Sequence, residues 1–451
     1  MKKLTPRIIA EITGGKYIGE ESAHDEEVLG AERDNRDIKP GNLFVCIPGA
    51  KVDGHDYANS AFEAGAVCAL AEREIPNAKG AYVLVESTLK AFREIAEYYR
   101  KQFDIPFIGI TGSVGKTTGK ELIASVLSAT KNVLYTKMNL NNDIGVPLTL
   151  LSLNDTHDVA VVEMGINDFG DMSILAQMVR PDIFVMTKIG YSHIDNLKTL
   201  QGVLKAKTEA FMYMKPDSIA VMNGDDELLL NFDTQRKTYT FGLDEHNDFR
   251  AVNVQNKGTD LIELDIESDK GRFPIKINTY GSHIASLAPS AVAIGRLLGL
   301  SDKEITTGFL KYLPVEGRSR VSESNGITVI DDCYNANPNS VKAALTSLSS
   351  LKGRRVVILG DMLGLGDIAE DMHREVGAFA AETDIDMLIC QGPLAKLIYD
   401  EYKATGGKSA EYYSDMNELI TNIHKYIKKG DTVLLKASRG MKFEQLLPHL
   451  S

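Results

Sequence analysis

Residues 106–128 read "PFIGITGSVGKTTGKELIASVLS": an apolar run, a turn holding Gly112 and Gly115, then Lys116, Thr117 and Thr118 at the start of a helix-length segment. Strand, glycine turn and helix in this order let backbone N–H groups face a phosphate, and the helix N-terminus adds its partial positive charge. Lys116 is placed to neutralise the β and γ phosphates, and the Thr117 hydroxyl to ligate magnesium. The candidate triphosphate cradle is therefore Thr111, Gly112, Ser113, Val114, Gly115, Lys116, Thr117 and Thr118. The common pattern has glycine six residues before the lysine; Ile110 stands there, so this is a variant of it.

The base is read as adenine. A guanine reader needs an aspartate in an Asn/Thr-Lys-x-Asp stretch, whereas "TKIG" (187–190) places Gly190 at that position. The apolar run "VAVVEMG" (159–165) carries Glu163, a carboxylate at a strand end that could serve magnesium.

At 451 residues the chain exceeds what one hydrophobic core usually supports. Three domains are expected, with boundaries near Asp104-Ile105-Pro106, where a residue before proline leaves the helical region, and near Leu313-Pro314. Residues 1–104 mix short strands such as "LFVCIP" and "AYVLVE" with the helical "TLKAFREIAEYYRKQF", a small α/β domain. Residues 105–313 alternate buried-strand runs with helix-length segments, predicting a doubly wound parallel sheet around the phosphate loop. An antiparallel hairpin is expected within 241–277. Residues 314–451 repeat the alternation in "ITVIDD", "RVVILGD", "DMLICQG" and "DTVLLKAS", predicting a Rossmann-like open sheet.

The net charge of −12 argues against a nucleic-acid binder, though an anionic substrate still requires a local cationic pocket. Cys46, Cys68, Cys333 and Cys390 are scattered, which fits a reducing compartment. No run is apolar enough for a signal peptide or a membrane span. The chain is read as a cytoplasmic monomer that neither inserts into a membrane nor binds nucleic acid.

In "TLQGVLKAKTEAFMYM" (199–214), Leu200, Val203, Leu204, Phe211 and Met214 trace one helical face, and Lys207 lies in that stripe. Two readings stand: a snorkelling lysine with its ammonium in water, or a buried one whose desolvated amine turns neutral and nucleophilic. His193 in "KIGYSHID" follows a strand, where it is either structural or, with Glu163, part of a metal position.

These residues resemble the Mur ligases, ATP-dependent amide-forming enzymes of peptidoglycan assembly. "DDCYNANPNSVKAAL" (331–345), "ILGDMLGLG" (358–366) and "KASRGMKFE" (436–444) resemble the branch that joins D-alanyl-D-alanine to a UDP-N-acetylmuramoyl-tripeptide, and the likeness spans essentially the whole chain. The resemblance implies ATP, two magnesium ions and an acyl-phosphate intermediate. It implies that Thr117 and Glu163 serve the first magnesium, and His193 and a carbamylated Lys207 the second. On the adenine side it implies Asn223 and His283, with Arg318 and Asp332 reaching the nucleotide from the third domain. It assigns the UDP end to "DNRDIKPGNLFVCIPGAKVDGHDY" (34–57) with Arg36, and Asn139, Asn141 and Asn142 to the acceptor carboxylate and phosphates. Tyr334, Asn335, Asn337, Ser438 and Arg439 would face the dipeptide. The chain departs from the family at Asn35, Ile284, Leu287 and Gly364. Sister ligases adding one amino acid, folylpolyglutamate-type ligases and a nucleotide-driven binding protein are the rival readings; whether the tripeptide ends in lysine or diaminopimelate stays open.

Overall fold

The structure is a computed structural model describing residues 3–49 and 51–450. Its strands form three sheets. The first has five strands in the order Lys16–Ile18, Ala81–Leu84, Cys68–Ala71, Asn42–Val45 and Gly30–Glu32. Helix Thr88–Arg100 covers it, starting where the Ser87 hydroxyl accepts from the Lys90 N–H and burying Ala91, Phe92, Ile95, Ala96 and Tyr99 at helical spacing.

The second sheet has nine strands. Its parallel part runs from edge strand Val133–Tyr135 through Val159–Glu163, Phe107–Thr111, Ile183–Met186 and Ile219–Asn223 to Lys237–Gly242. Val159–Glu163 and Phe107–Thr111 are buried at every position, as a sheet covered on both faces requires. The hairpin expected in 241–277 is larger than read. Phe249–Asn256, Ile262–Ser268 and Gly271–Ile277 form a three-stranded antiparallel extension, joined to Lys237–Gly242 through only two residue pairs. Helix Ser282–Leu297 packs across this extension and the phosphate-loop helix.

The third sheet runs Arg320–Ser324, Ile327–Asp331, Asp431–Lys436, Arg354–Gly360, Met387–Gln391 and Ser409–Tyr413. All its pairings are parallel except the first. The two edge strands went unread in the sequence because one face of each meets solvent and their residues are mostly polar.

The first two sheets share one core, in which Tyr99 and Phe103 pack with Phe107, Leu153 and Val179. The Tyr99 hydroxyl donates to the Leu153 carbonyl at 2.8 Å. The Arg100 guanidinium donates to the carbonyls of Val179 and Arg180 and stacks on the Phe107 ring at 3.8 Å. The third sheet has its own cores; Tyr280 and Tyr191 of the middle segment pack into one of them, and polar contacts join Arg318 to Thr117 and Ser319 to His283. No helix among the described residues is long and apolar enough to cross a membrane. All four cysteines are buried and free.

Candidate active site

The phosphate loop connects strand Phe107–Thr111 to helix Lys116–Leu127. Gly112 has φ +154°, and a Cβ there would lie 2.0 Å from the Thr187 hydroxyl; Gly115, at φ +86°, turns the chain into the helix. The Ser113 N–H donates to the Lys188 carbonyl and its hydroxyl to the Gly190 carbonyl, so the loop is anchored to the neighbouring strand end. Thr118 follows in the first turn of the helix and lines a cleft beside the loop. The Lys116 ammonium caps the Gly112 carbonyl at 2.8 Å. Burial lowers its pKa and Arg318 adds to this, while Glu163 opposes it.

Glu163 is buried at the end of its strand. Its Oε1 accepts from the Thr117 hydroxyl at 3.2 Å and from the Asn141 amide at 2.8 Å, whereas Oε2 is buried without a hydrogen-bond partner. A hydroxyl, a carboxylate and an orphaned carboxylate oxygen suit a hard, oxygen-seeking cation such as magnesium. No group of three or more His, Cys, Asp or Glu among the described residues could hold a metal. That is compatible with magnesium, which takes one or two carboxylates and draws its remaining ligands from water and substrate phosphates.

Lys207 is 1% exposed, which rules out the snorkelling reading. Its helix, Leu200–Thr208, ends sooner than the apolar stripe suggested; Phe211 and Met214 are buried from a following tight turn and the residue after it. Burial holds the amine well below its ordinary pKa, and the Lys116 ammonium lowers it further, with no carboxylate opposing. His193 is exposed at φ +54°, beginning the short helix Ile194–Leu197. Protein packed against its ring, then Lys116 and Lys207, hold its pKa below the usual histidine value. Three basic groups thus converge, opposed by Glu163 at Lys116 and by Asp168 and Asp171 at His193, with no carboxylate acting on Lys207.

A narrow cleft of about 100 Å³ lies between the phosphate loop and the third sheet. His283, Arg318 and Asp332 line it. Arg318 donates to the Thr117 hydroxyl at 3.5 Å and lies over the Tyr334 ring. Burial lowers the His283 pKa, with Lys436 adding and Asp332 opposing; its Nδ1 has no partner. Lys436, buried and 2.5 Å from Asp332, is a cleft residue that the sequence reading quoted in "KASRG" but did not single out. The signal was its position at the C-terminal end of a parallel strand, Asp431–Lys436.

Other predicted residues are divided between cleft and framework. The Asn223 amide is engaged at both ends, donating to the Thr187 carbonyl and accepting from the Asp225 N–H. Asn142 accepts from the Gly145 N–H at the start of its helix, and Asn337 caps helix Pro338–Ser349. The Asn335 carbonyl accepts from Lys436, while the Ser438 hydroxyl accepts from the Leu363 N–H. Arg36 is exposed and paired with Asp34, and Asn35 donates to the Ser60 hydroxyl. Asn139, Tyr334 and Arg439 line a second cleft of about 570 Å³, which shares Thr117 and Arg318 with the first. Ile284 and Leu287, where the chain departs from the family, are buried apolar side chains, Leu287 against Gly115. Gly364 adopts φ +76° with open space where a side chain would point.

Residues 30–100 match the Mur ligase family catalytic domain, residues 110–295 the Mur ligase middle domain, and residues 317–439 the Mur ligase glutamate ligase domain. The chain is 34% identical to a UDP-N-acetylmuramoyl-tripeptide–D-alanyl-D-alanine ligase of Bacillus subtilis over 100% of this chain and 99% of the relative. Among solved structures it resembles MurF from Acinetobacter baumannii, with TM-score 0.89, 27% identity and coverage of 99% and 98% of the two chains. It also resembles MurF ligase from Thermotoga maritima in complex with ADP, with TM-score 0.83, 27% identity and coverage of 94% and 97%. A phosphate loop, a buried carboxylate and an unpaired lysine on the middle sheet, closed over by cationic residues of the third, accompany matches to all three of the family's domains, and the chain belongs to the Mur ligase family.

Proposed function

We propose that this chain is an ATP-dependent ligase that joins D-alanyl-D-alanine to UDP-N-acetylmuramoyl-tripeptide, releasing ADP and phosphate. The observation that carries the reading is the convergence on Thr117. Its hydroxyl meets Glu163 from its own sheet and Arg318 from the third, and it borders both clefts. One cleft suits the nucleotide and the other an acceptor, so a phosphoryl group leaving the first would arrive beside the second.

The peptide's terminal carboxylate oxygen attacks the γ phosphorus, a C–O–P bond forms as the bridging bond to ADP breaks, and an acyl phosphate results. The amine of the dipeptide then attacks the acyl carbon and gives up a proton; the tetrahedral intermediate expels phosphate and leaves the amide. Lys116 and Arg318 hold the transferring oxygens, and Asn139 and Asn141 orient the carboxylate. Magnesium held by Thr117 and Glu163, with a second ion held by His193 and a carbamate on Lys207, would neutralise charge on those oxygens. Lys207 suits carbamylation because its amine is held neutral, and the added carboxylate would balance Lys116 and His193. Asn223 and His283 lie on the adenine side in this reading, with Asp332 and Lys436 at the nucleotide.

The three sheets divide the labour. The first, with Arg36, takes the UDP end; the second takes ATP; and the third presents the dipeptide through Tyr334, Asn335, Asn337, Ser438 and Arg439. The cleft between the second and third sheets is narrow, and in this reading the third sheet swings outward to admit ATP. The shared core of the first two keeps them together. Closure then excludes water that would hydrolyse the acyl phosphate. A cytoplasmic location accords with four free cysteines.

The deciding experiment is phosphate release from the purified protein with ATP, the UDP-tripeptide and a panel of amines. D-alanyl-D-alanine should give rapid release and a lengthened nucleotide-linked peptide. Preference for a single amino acid would instead place the chain with the sister ligases. Absence of any hydroxylamine-trapped acyl phosphate would exclude the ligase chemistry altogether.

A further inference from the structure

The first domain touches the phosphate chemistry at one place, through helix Thr88–Arg100. Arg93 of that helix, 24% exposed, pairs its Nη2 with the carboxylate of Asp143, 50 positions away in the middle domain. Its Nε is buried without a hydrogen-bond partner, and among the described residues Asp143 is the one carboxylate paired with the guanidinium. Asp143 is therefore what compensates the burial of this charge. It also ends the run Asn141-Asn142-Asp143, in which every residue is held. The Asn141 amide donates to Glu163 Oε1 and its carbonyl accepts from the Gly165 N–H, both at 2.8 Å, while the Asn142 side chain accepts from the Gly145 N–H at 2.9 Å. The chain folds back tightly here, since a Cβ on Gly145 would lie 2.3 Å from the Leu140 Cα. Three consecutive anchored residues leave no slack, so a shift of Asp143 is passed to the asparagines before it.

We propose that Arg93 is a positioning residue for phosphoryl transfer: from the first domain it holds Asp143, and through Asp143 the Asn141 amide that fixes the orientation of the Glu163 carboxylate. A misplacement of about 1 Å at such a group can lower a rate by about a hundredfold, so a contact remote from the reacting atoms still governs turnover. The same helix supplies its own comparison. Glu97, one turn beyond Arg93, accepts from Arg180 at 2.9 Å and from Gln177 at 3.0 Å. It joins the same two domains without touching the run 141–143. Loss of Glu97 loosens the seam alone, whereas loss of Arg93 releases the segment that carries Asn141. The inference rests on the ligase reading above.

The test uses Arg93→Met, the isosteric Asp143→Asn, their double variant and Glu97→Gln, each in the full chain. Arg93→Met and Asp143→Asn should each lower kcat about tenfold or more, with the KM for ATP within about twofold of the unaltered protein. The double variant should fall no further than the worse single one, because both remove the same contact. Glu97→Gln should keep its kcat. Calorimetric ADP binding without magnesium should be intact in every variant, which reports that each has folded. The tightening of ADP by added magnesium should shrink in Arg93→Met, because the Glu163 carboxylate has lost its fixed orientation; a merely structural contact would leave that tightening as it was. An unaltered kcat or an undiminished magnesium effect in Arg93→Met, losses that add in the double variant, or an equal loss in Glu97→Gln overturns the proposal. Failure of the unaltered enzyme to form acyl phosphate overturns the ligase reading instead.

Discussion

Two lysines in the middle domain, Lys120 and Lys207, are equally buried, at 0% and 1% exposure, and differ in everything around them. Lys120, one turn beyond Lys116 on the phosphate-loop helix, donates to the Thr136 carbonyl at 2.5 Å. It also lies 2.8 Å from Glu121 and 4.0 Å from the otherwise unpartnered oxygen of Glu163. Thr136 in turn accepts from the Glu163 N–H through its hydroxyl. Lys120 thereby ties the phosphate-loop helix to the strand end that leads into Asn139 and Asn141. Lys207 has only Lys116 as a charged influence, and that influence is repulsive. A buried ammonium surrounded by acceptors is framework; a buried amine with none is poised for chemistry.

The largest effect expected from this contrast is on turnover. Lys207→Ala should lower kcat by about a thousandfold or more, ~4 kcal/mol in barrier. Bicarbonate or short carboxylates added to that small-residue variant should recover some activity, and full activity without rescue would remove Lys207 from the mechanism. Stability should divide the two lysines in the opposite sense. Lys120→Met removes one partner of a buried charged cluster and should cost about 3–5 kcal/mol. Lys207→Met should be neutral or stabilising, because no favourable partner is lost. Urea unfolding of both variants measures this, and losses of the same sign and size would collapse the contrast.

A subtler effect lies in pH. The folded-state pKa of Lys207 is below its unfolded value of 10.5, so between those two values the unfolded chain binds a proton that the folded chain does not. Stability must then rise with pH across that window and flatten above 10.5. In bicarbonate-free buffer the unaltered protein should gain up to about 1.4 kcal/mol per pH unit relative to Lys207→Met. Parallel pH profiles for the two proteins would refute a depressed pKa. Smallest of all, Arg36→Ala should leave the melting temperature unchanged, since the residue is exposed and its Asp34 pair is screened by solvent. It should weaken only the UDP-substrate, and an altered KM for ATP would break the assignment.

Much of this was legible in the residues. The phosphate loop, the alternation of buried strands and the three-sheet organisation follow from local periodicity and turn chemistry, which act over a few residues. The edge strands Arg320–Ser324 and Ser409–Tyr413 escaped notice because a half-solvated polar strand carries no apolar signature. Lys436 escaped because its significance lies in a distant neighbour, Asp332, 104 positions away. Asn142 and Asn337, which the resemblance assigns to substrate, also hold backbone N–H groups at helix starts, Asn142 that of Gly145 and Asn337 that of Ser340.

By itself the sequence determined that a triphosphate site would open a helix after a buried strand, because strand burial, glycine conformation and helix polarity are properties of contiguous residues. Whether Lys207 faced water or the interior was left undecided, since periodicity gives a face and not what covers it. Tertiary packing settled that choice by placing Lys207 beside Lys116 with no carboxylate acting on it, while giving Lys120 a carbonyl acceptor and two carboxylates within 4.0 Å. The physical reason is that desolvation and pairing depend on every group within a few ångströms, and those groups come from segments far apart in the chain.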